Sequence, residues 1–401
     1  MKRSAIALVA GAGLVLSLAA CSNGDSGDTG GDEQIELVVW ESLEGRSDFI
    51  EQAGEAYTAE HPNVTIVYKN VELGDALGQI ALDGPAGVGA DVFAAPSNVT
   101  GDLVTGGHIL PVADPEALEG ALVPGAIAGV TYQEQIWGVP VTIDTYGLFY
   151  NKEYVTDVPT TWADVIGFSE EFNADNPGKY GFAFNPSIYY SAPWLFSAPD
   201  NLLFGPAGDD PETPNTNTPA TVAGAEQLVE LRSVLDVPAE DLDAASVDSL
   251  FEGGQSAMSI TGSWNIPVFD AAGLDYGVAT LPALEGSDTP AGSFSNSRTM
   301  FTSAYTDYPE AAQDFAAFLA SPEMLKLAYD LTGSIPPAEI DGIDNEATLG
   351  LAAQGAYAFP TPSIPEMTLF WTAMDSAIIN IWNGADIQTE LDTATEVILN
   401  Q

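Results

Sequence analysis

The chain is 401 residues long and 46% apolar, which allows two or three domains with sizeable cores and excludes a disordered acidic tail. It carries 58 Asp and Glu against 9 Lys and Arg, a formal net charge of -49, with the acids scattered from end to end. Such a surface repels phosphate backbones and anionic membrane faces, so no nucleic-acid partner is expected and the charge reads first as a hydrated, soluble shell.

The chain opens on Met1-Lys2-Arg3, and residues 5–20 are an uncharged apolar run too short for a comfortable bilayer span. The run ends in Leu18-Ala19-Ala20-Cys21 and is followed by SNGDSGDTGGDE, a flexible Gly/Ser/Asp tether. This resembles the bacterial lipoprotein signal, which is cut before the cysteine, the cysteine then being acylated. The alternative is an ordinary secretory signal with a chance cysteine. The resemblance implies a signal peptide over 1–20, a tether over 21–33 and lipid on Cys21. The protein would then sit outside the cytoplasmic membrane, bound to its outer face only through the acyl chains, each methylene of which adds about 0.8 kcal/mol. Cys21 is the one cysteine, so no disulfide forms within the chain.

IELVVWES (35–42) reads as a buried strand, and 48–60 as a helix with Phe49, Ala53, Ala56 and Tyr57 on one face. His61-Pro62-Asn63 stops that helix. VTIVYKNV (64–71) is a second strand, 73–82 a helix and ADVFAAP (90–96) a third strand. This alternation predicts a parallel sheet in an α/β fold, and two lobes with a cleft between them suit the length. GVPVTIDTYGLFYNKEYV (138–155) is strand-rich and would carry the chain between lobes. Thr161 is a plausible cap of the helix that follows, with Asp164 three residues on. The polar, Pro-rich stretch after Asp200 reads as loop. Further helices are expected at 223–234, 246–251, 266–272, 309–320, 321–332, 365–382 and 387–399.

Catalytic and metal motifs are scarce. His61 and His108, the two histidines, read as structural or exposed. With a single cysteine a Cys/His zinc site is nearly excluded. There is no His-Glu-x-x-His helix, phosphate loop or Gly-x-Ser-x-Gly elbow, and GDSG (24–27) lies in the tether. Calcium stays open among so many carboxylates, although no EF-hand spacing occurs. No metal or cofactor is expected. A glycosidase needs only two well-placed acids, which leaves that enzyme class as a rival.

FEGGQSAMSITGSW (251–264) sets a run of small residues before the largest side chain. It resembles the Phe-x-x-Gly-x-x-Ala-Met and Gly-x-Trp segment of the extracellular solute-binding proteins of ABC importers, carbohydrate branch. WGVPVTIDTYGLFYNKEYV (137–155) is similar to that family's crossover, and PTTWADV (159–165) to its Pro-x-Thr-Trp-x-Glu helix start, with Asp164 for Glu. YGVATLPA (276–283) and IPEMTLFWTAMDSAI (364–378) resemble segments of maltose-binding proteins. The similarity runs from Ile35 to the end.

The resemblance implies a periplasmic-binding-protein-like fold of two α/β lobes joined by a multi-strand hinge, with 34–142 plus 299–336 in one lobe and 147–294 plus 337–401 in the other. It implies a monomer that binds malto-oligosaccharide in the cleft, does no chemistry and delivers the sugar to permease subunits. Another oligosaccharide, galacto- or xylo-, is the alternative, and a surface glycosidase the remoter one. It points to Trp264 as a flat plate for sugar C–H faces and to Trp371 as a second; core packing is the competing role of each. Tyr190 is the better-aligned tyrosine of an aromatic loop, with Tyr189 the alternate. Asp144 would accept from sugar hydroxyls, and Glu41 and Glu44 are placed near polar sugar contacts. Asn98 stands where the enteric member has an acid, while Ala95 replaces an aromatic and Val99 a basic residue. Arg298 either faces the cleft or bridges the lobes.

Overall fold

The computed structural model describes residues 34–43, 46–198, 201–205 and 208–400. Cys21, the expected signal and tether, and Glu44 lie outside the described residues.

The strand Ile35–Glu41 pairs in parallel with Val64–Asn70 on one side and Val92–Pro96 on the other. The helix Arg46–Glu60 crosses between the first two and buries Phe49, Ile50, Ala53, Gly54 and Tyr57. Beyond these three strands the expected parallel order stops. Phe294–Thr302 enters the same sheet antiparallel to Val92–Pro96 and also pairs antiparallel with Val139–Asp144. It arrives from the other lobe, so its direction is set by the crossing and not by a strand–helix–strand turn. A second sheet is wholly antiparallel: Tyr146–Asn151 runs between Met258–Gly262 and Tyr276–Ala279.

The fold is two-lobed α/β, and its apolar side chains fall into sets that follow the lobes. Leu37, Val39, Phe49, Val92, Val139, Met300 and Phe315 share one core, with Trp40, Phe93 and Phe301 on the opposite sheet face. Tyr146, Leu148, Phe184, Trp194, Phe294, Phe370 and Trp382 share another. The strand Phe294–Thr302 therefore begins in one core and ends in the other. The chain makes a second crossing between Asp144 and Tyr146. At the junction Thr145 Oγ1 lies 2.8 Å from Ser293 Oγ and donates to the Phe294 carbonyl at 2.9 Å. A third crossing carries Ile335, whose carbonyl accepts from the Ile143 amide at 2.8 Å. Ile335 packs with Phe149 and Phe269 of the second lobe.

The expected loop around Tyr189 is instead the helix Ile188–Phe196, with Pro193 inside it. Both histidines have neighbours in the first lobe: His61 stacks on Tyr57 at 4.1 Å, and His108 Nδ1 lies 2.8 Å from the Tyr305 hydroxyl. Among the described residues no helix is long and apolar enough to cross a membrane, and no group of three or more His, Cys, Asp or Glu could hold a metal ion.

Candidate ligand-binding site

Every residue of the strand Met258–Gly262 is buried. The chain then makes one 3-10 turn, Ser263–Asn265, before the helix Ile266–Ala272. Ser263 and Asn265 are buried, yet Trp264 between them is 42% exposed. The indole, held open to solvent by two buried neighbours, lies where the strand ends opposite Tyr146, beside the crossing between lobes.

Tyr189 stands between Trp264 and Trp371, 6.3 Å from each ring and tilted 46° and 50° to them. Trp371 lies on the helix Met367–Trp382, half-buried, edge-on to Phe294 at 5.3 Å. Phe294, wholly buried, also stacks under Tyr189 at 6.1 Å and 16°, so it supports two of the three rings. The helices carrying Tyr189 and Trp371 are tied together, because Asp375 Oδ1 accepts from the Ile188 amide at 2.8 Å.

Tyr190, the preferred tyrosine on sequence, points elsewhere. It is 8% exposed and packs on Tyr146 at 5.4 Å. Its hydroxyl bonds Thr261, and burial above all pushes its pKa up, with the Asp248 charge adding to the shift. Neighbouring residues on a helix diverge by about 100°, so only one of the pair can face the indoles. The structure puts Tyr189 there.

The polar candidates gather at the strand ends. Asp144 ends its strand opposite Asn296 and accepts from Ser263 Oγ at 3.2 Å, next to Trp264. The Tyr189 hydroxyl bonds the Asn296 side chain; burial above all raises its pKa well above the usual value. Glu41, expected near polar sugar contacts, and Arg298, expected either to face the cleft or to bridge the lobes, form an ion pair with each other. Glu41 is 1% exposed, and its Oε1 also accepts from the Ser42 amide at 2.7 Å. Arg298 binds a carboxylate of its own sheet, not one of the opposite lobe. Among the described residues, Glu41 Oε2, Arg298 Nε and Asn296 Oδ1 are buried without a hydrogen-bond partner. Asn98 is half-buried in the turn Ser97–Val99, beside the Arg298 strand, where the Ser297 amide donates to Ser97 Oγ at 2.9 Å.

Sequence reasoning passed over Arg46. It opens the first helix and donates from Nη2 to Ser334 Oγ at 2.6 Å. Burial, then the Arg298 charge, pulls its pKa down, while Asp144 and Glu41 pull it up. The available signal was an arginine in a chain with only 9 Lys and Arg. Asn296, Ser263 and Asp375 were also missed; each sits in a segment read only for its aromatic or basic neighbour.

A cavity of about 1050 Å³ opens elsewhere, lined by Ile127 and Tyr132 of the first lobe and Phe359 and Glu366 of the second. Among the described residues no tryptophan lines it. Phe359 packs edge-on to Phe294 at 5.0 Å, so Phe294 links a residue lining that cavity to Tyr189 and Trp371. Ligand sites combine a concave space with aromatic faces and a few convergent polar groups, and it is the three rings beside Asp144 and Asn296 that bring the last two together.

Residues 52–339 match the family of bacterial extracellular solute-binding proteins. The chain belongs to that family. A galactooligosaccharide-binding protein of Bacillus subtilis (strain 168) is 31% identical over 97% of this chain and 95% of its own length. A maltooligosaccharide ABC transporter solute-binding lipoprotein of Streptococcus pneumoniae (strain ATCC BAA-255 / R6) is 27% identical over 92% of this chain and 90% of its own. Among solved structures, a cyclo/maltodextrin-binding protein complexed with maltotetraose superposes with a TM-score of 0.84 at 28% identity, covering 93% of this chain and 98% of that one. For a solute-binding protein, the three rings beside the hinge crossings are the candidate ligand contacts.

Proposed function

We propose that this solute-binding protein is the receptor of an ABC importer for malto-oligosaccharide, which it holds between its lobes and passes unaltered to the permease. The observation that carries the reading is Tyr189 set between Trp264 and Trp371, 6.3 Å from each, beside Asp144. Three aromatic faces suit successive sugar rings, whose C–H faces are apolar, while Asp144, Asn98 and Arg46 suit hydroxyl edges. In this reading residues 34–142 plus 299–336 form one jaw and 147–294 plus 337–401 the other, hinged on the crossings at Asp144–Tyr146, Phe294–Thr302 and Ile335. Ligand shifts the pair toward closure only as far as it binds the closed form better.

The protein acts as a monomer, without cofactor, tethered outside the cytoplasmic membrane through acylated Cys21. The lipoprotein relative supports the tether. Transport without chemistry is supported by the match to extracellular solute-binding proteins; among the described residues Glu41 is 1% exposed and paired with Arg298.

A galacto-oligosaccharide is the second reading, favoured by the Bacillus subtilis relative at 31% identity. Titration of tryptophan fluorescence with maltotriose, galactotriose and xylotriose, with chromatography of the recovered sugar, separates these. Saturation by maltotriose with the sugar intact is expected. Response to galactotriose alone replaces the ligand, and released monosaccharide replaces the function.

A further inference from the structure

Pro193 lies inside the helix Ile188–Phe196. Proline has no N–H, so the carbonyl four residues earlier loses its intrahelical partner, and the ring crowds that carbonyl outward. The residue four earlier is Tyr189. Its carbonyl is nevertheless bonded: the Tyr146 hydroxyl donates to it at 2.6 Å. Tyr146 is wholly buried, on the strand Tyr146–Asn151 that begins at the crossing between lobes. The same hydroxyl oxygen accepts from the Phe294 amide at 3.2 Å. Phe294 begins the other crossing strand and lies under both Tyr189 and Trp371. The Tyr146 ring itself packs on Tyr189 at 4.9 Å.

We infer that Tyr146 is a positioning residue for ligand binding: its hydroxyl replaces the amide hydrogen that Pro193 lacks and so fixes Tyr189 between the two indoles. The inference rests on the reading of those rings as the sugar site. One O–H holds the plate, and its oxygen holds the hinge strand beneath the plate. The group is buried and stays protonated, because burial raises its pKa far above the usual phenol value. Removing it leaves a part-buried carbonyl and a buried amide without this partner, a loss that a shift of Tyr189 or Phe294 would relieve.

The test is a double-mutant cycle of Tyr146→Phe and Pro193→Ala, read as the Kd for maltotriose by calorimetry, with thermal melting as the control for folding. In the parent, Y146F is expected to weaken binding about tenfold, the scale of one or two lost buried hydrogen bonds. Alanine at 193 supplies the missing N–H to the Tyr189 carbonyl. In the P193A background the effect of Y146F should therefore fall to about threefold or less. An unchanged Kd in Y146F, or an equal loss in both backgrounds, overturns the inference. If the parent binds no maltotriose, the proposed sugar is wrong, and the sugar-free crystal structure of Y146F decides instead. Tyr189 displaced from between Trp264 and Trp371 upholds the positioning role, and Tyr189 unmoved overturns it.

Discussion

The six-membered ring of Trp264 covers Gly262, so closely that a β-carbon there would stand 2.3 Å from Cη2 and Cζ3. Gly262 has φ -123, a conformation any residue adopts, so glycine is needed for the space and not for the backbone. Gly262→Ala should leave the strand in place and push the indole off its seat. We expect maltotriose affinity to fall at least about tenfold, with a stability cost of about 1–3 kcal/mol from local overpacking. Trp264→Ala, at a side chain 42% exposed, should keep the melting temperature and lose about 2–4 kcal/mol of binding, the scale of an interface hot spot. Calorimetry beside thermal melting checks both. A W264A protein that no longer folds would make the indole core and not plate.

Glu41 and Arg298 form the most deeply buried ion pair among the described residues, at 1% and 12% exposure. Breaking such a pair leaves an uncompensated charge. Glu41→Gln should cost about 3–5 kcal/mol of stability. The double replacement Glu41→Gln with Arg298→Met should cost less than Glu41→Gln alone. Urea unfolding measures both, and equal costs would show that the two charges do not depend on each other.

The helix Ile266–Ala272 stands where its apolar spacing puts it, and so does Ile387–Leu399. Thr161 caps its helix by accepting from the Asp164 amide at 3.2 Å, as that spacing predicts. These features are local, so a local pattern shows them. Phe294–Thr302 has no clean alternation, because it pairs on both sides and crosses between lobes. The Tyr189 helix hides behind Pro193, which reads as a breaker until Tyr146 is seen to supply the missing bond. The Glu41–Arg298 pair joins residues 257 apart, and nothing in either neighbourhood announces it. Trp264 and Trp371 were legible as types; that Tyr189 and not Tyr190 joins them depends on the rotation of the helix, which tertiary packing sets and residue type does not.

Asp102, in the first lobe, faces Glu366 at the head of the second-lobe helix that carries Trp371. Burial first and the Glu366 charge second raise the Asp102 pKa above its usual 3.8. A carboxyl whose folded pKa is raised costs stability at neutral pH, and the cost disappears as pH falls through the folded pKa toward the unfolded one. Asp102→Asn should therefore raise the melting temperature at pH 7, with the gain shrinking on acidification and gone below about pH 3.8. Melting curves over that range check it; a gain that persists or grows in acid would contradict the assignment.

The most direct measurement is a crystal structure of the protein grown with maltotriose. It should show an intact trisaccharide between the lobes, one ring face against Trp264, a second against Tyr189 or Trp371, and a hydroxyl donating to Asp144. Sugar bound in the cavity beyond Phe294, or found cleaved, would contradict the account.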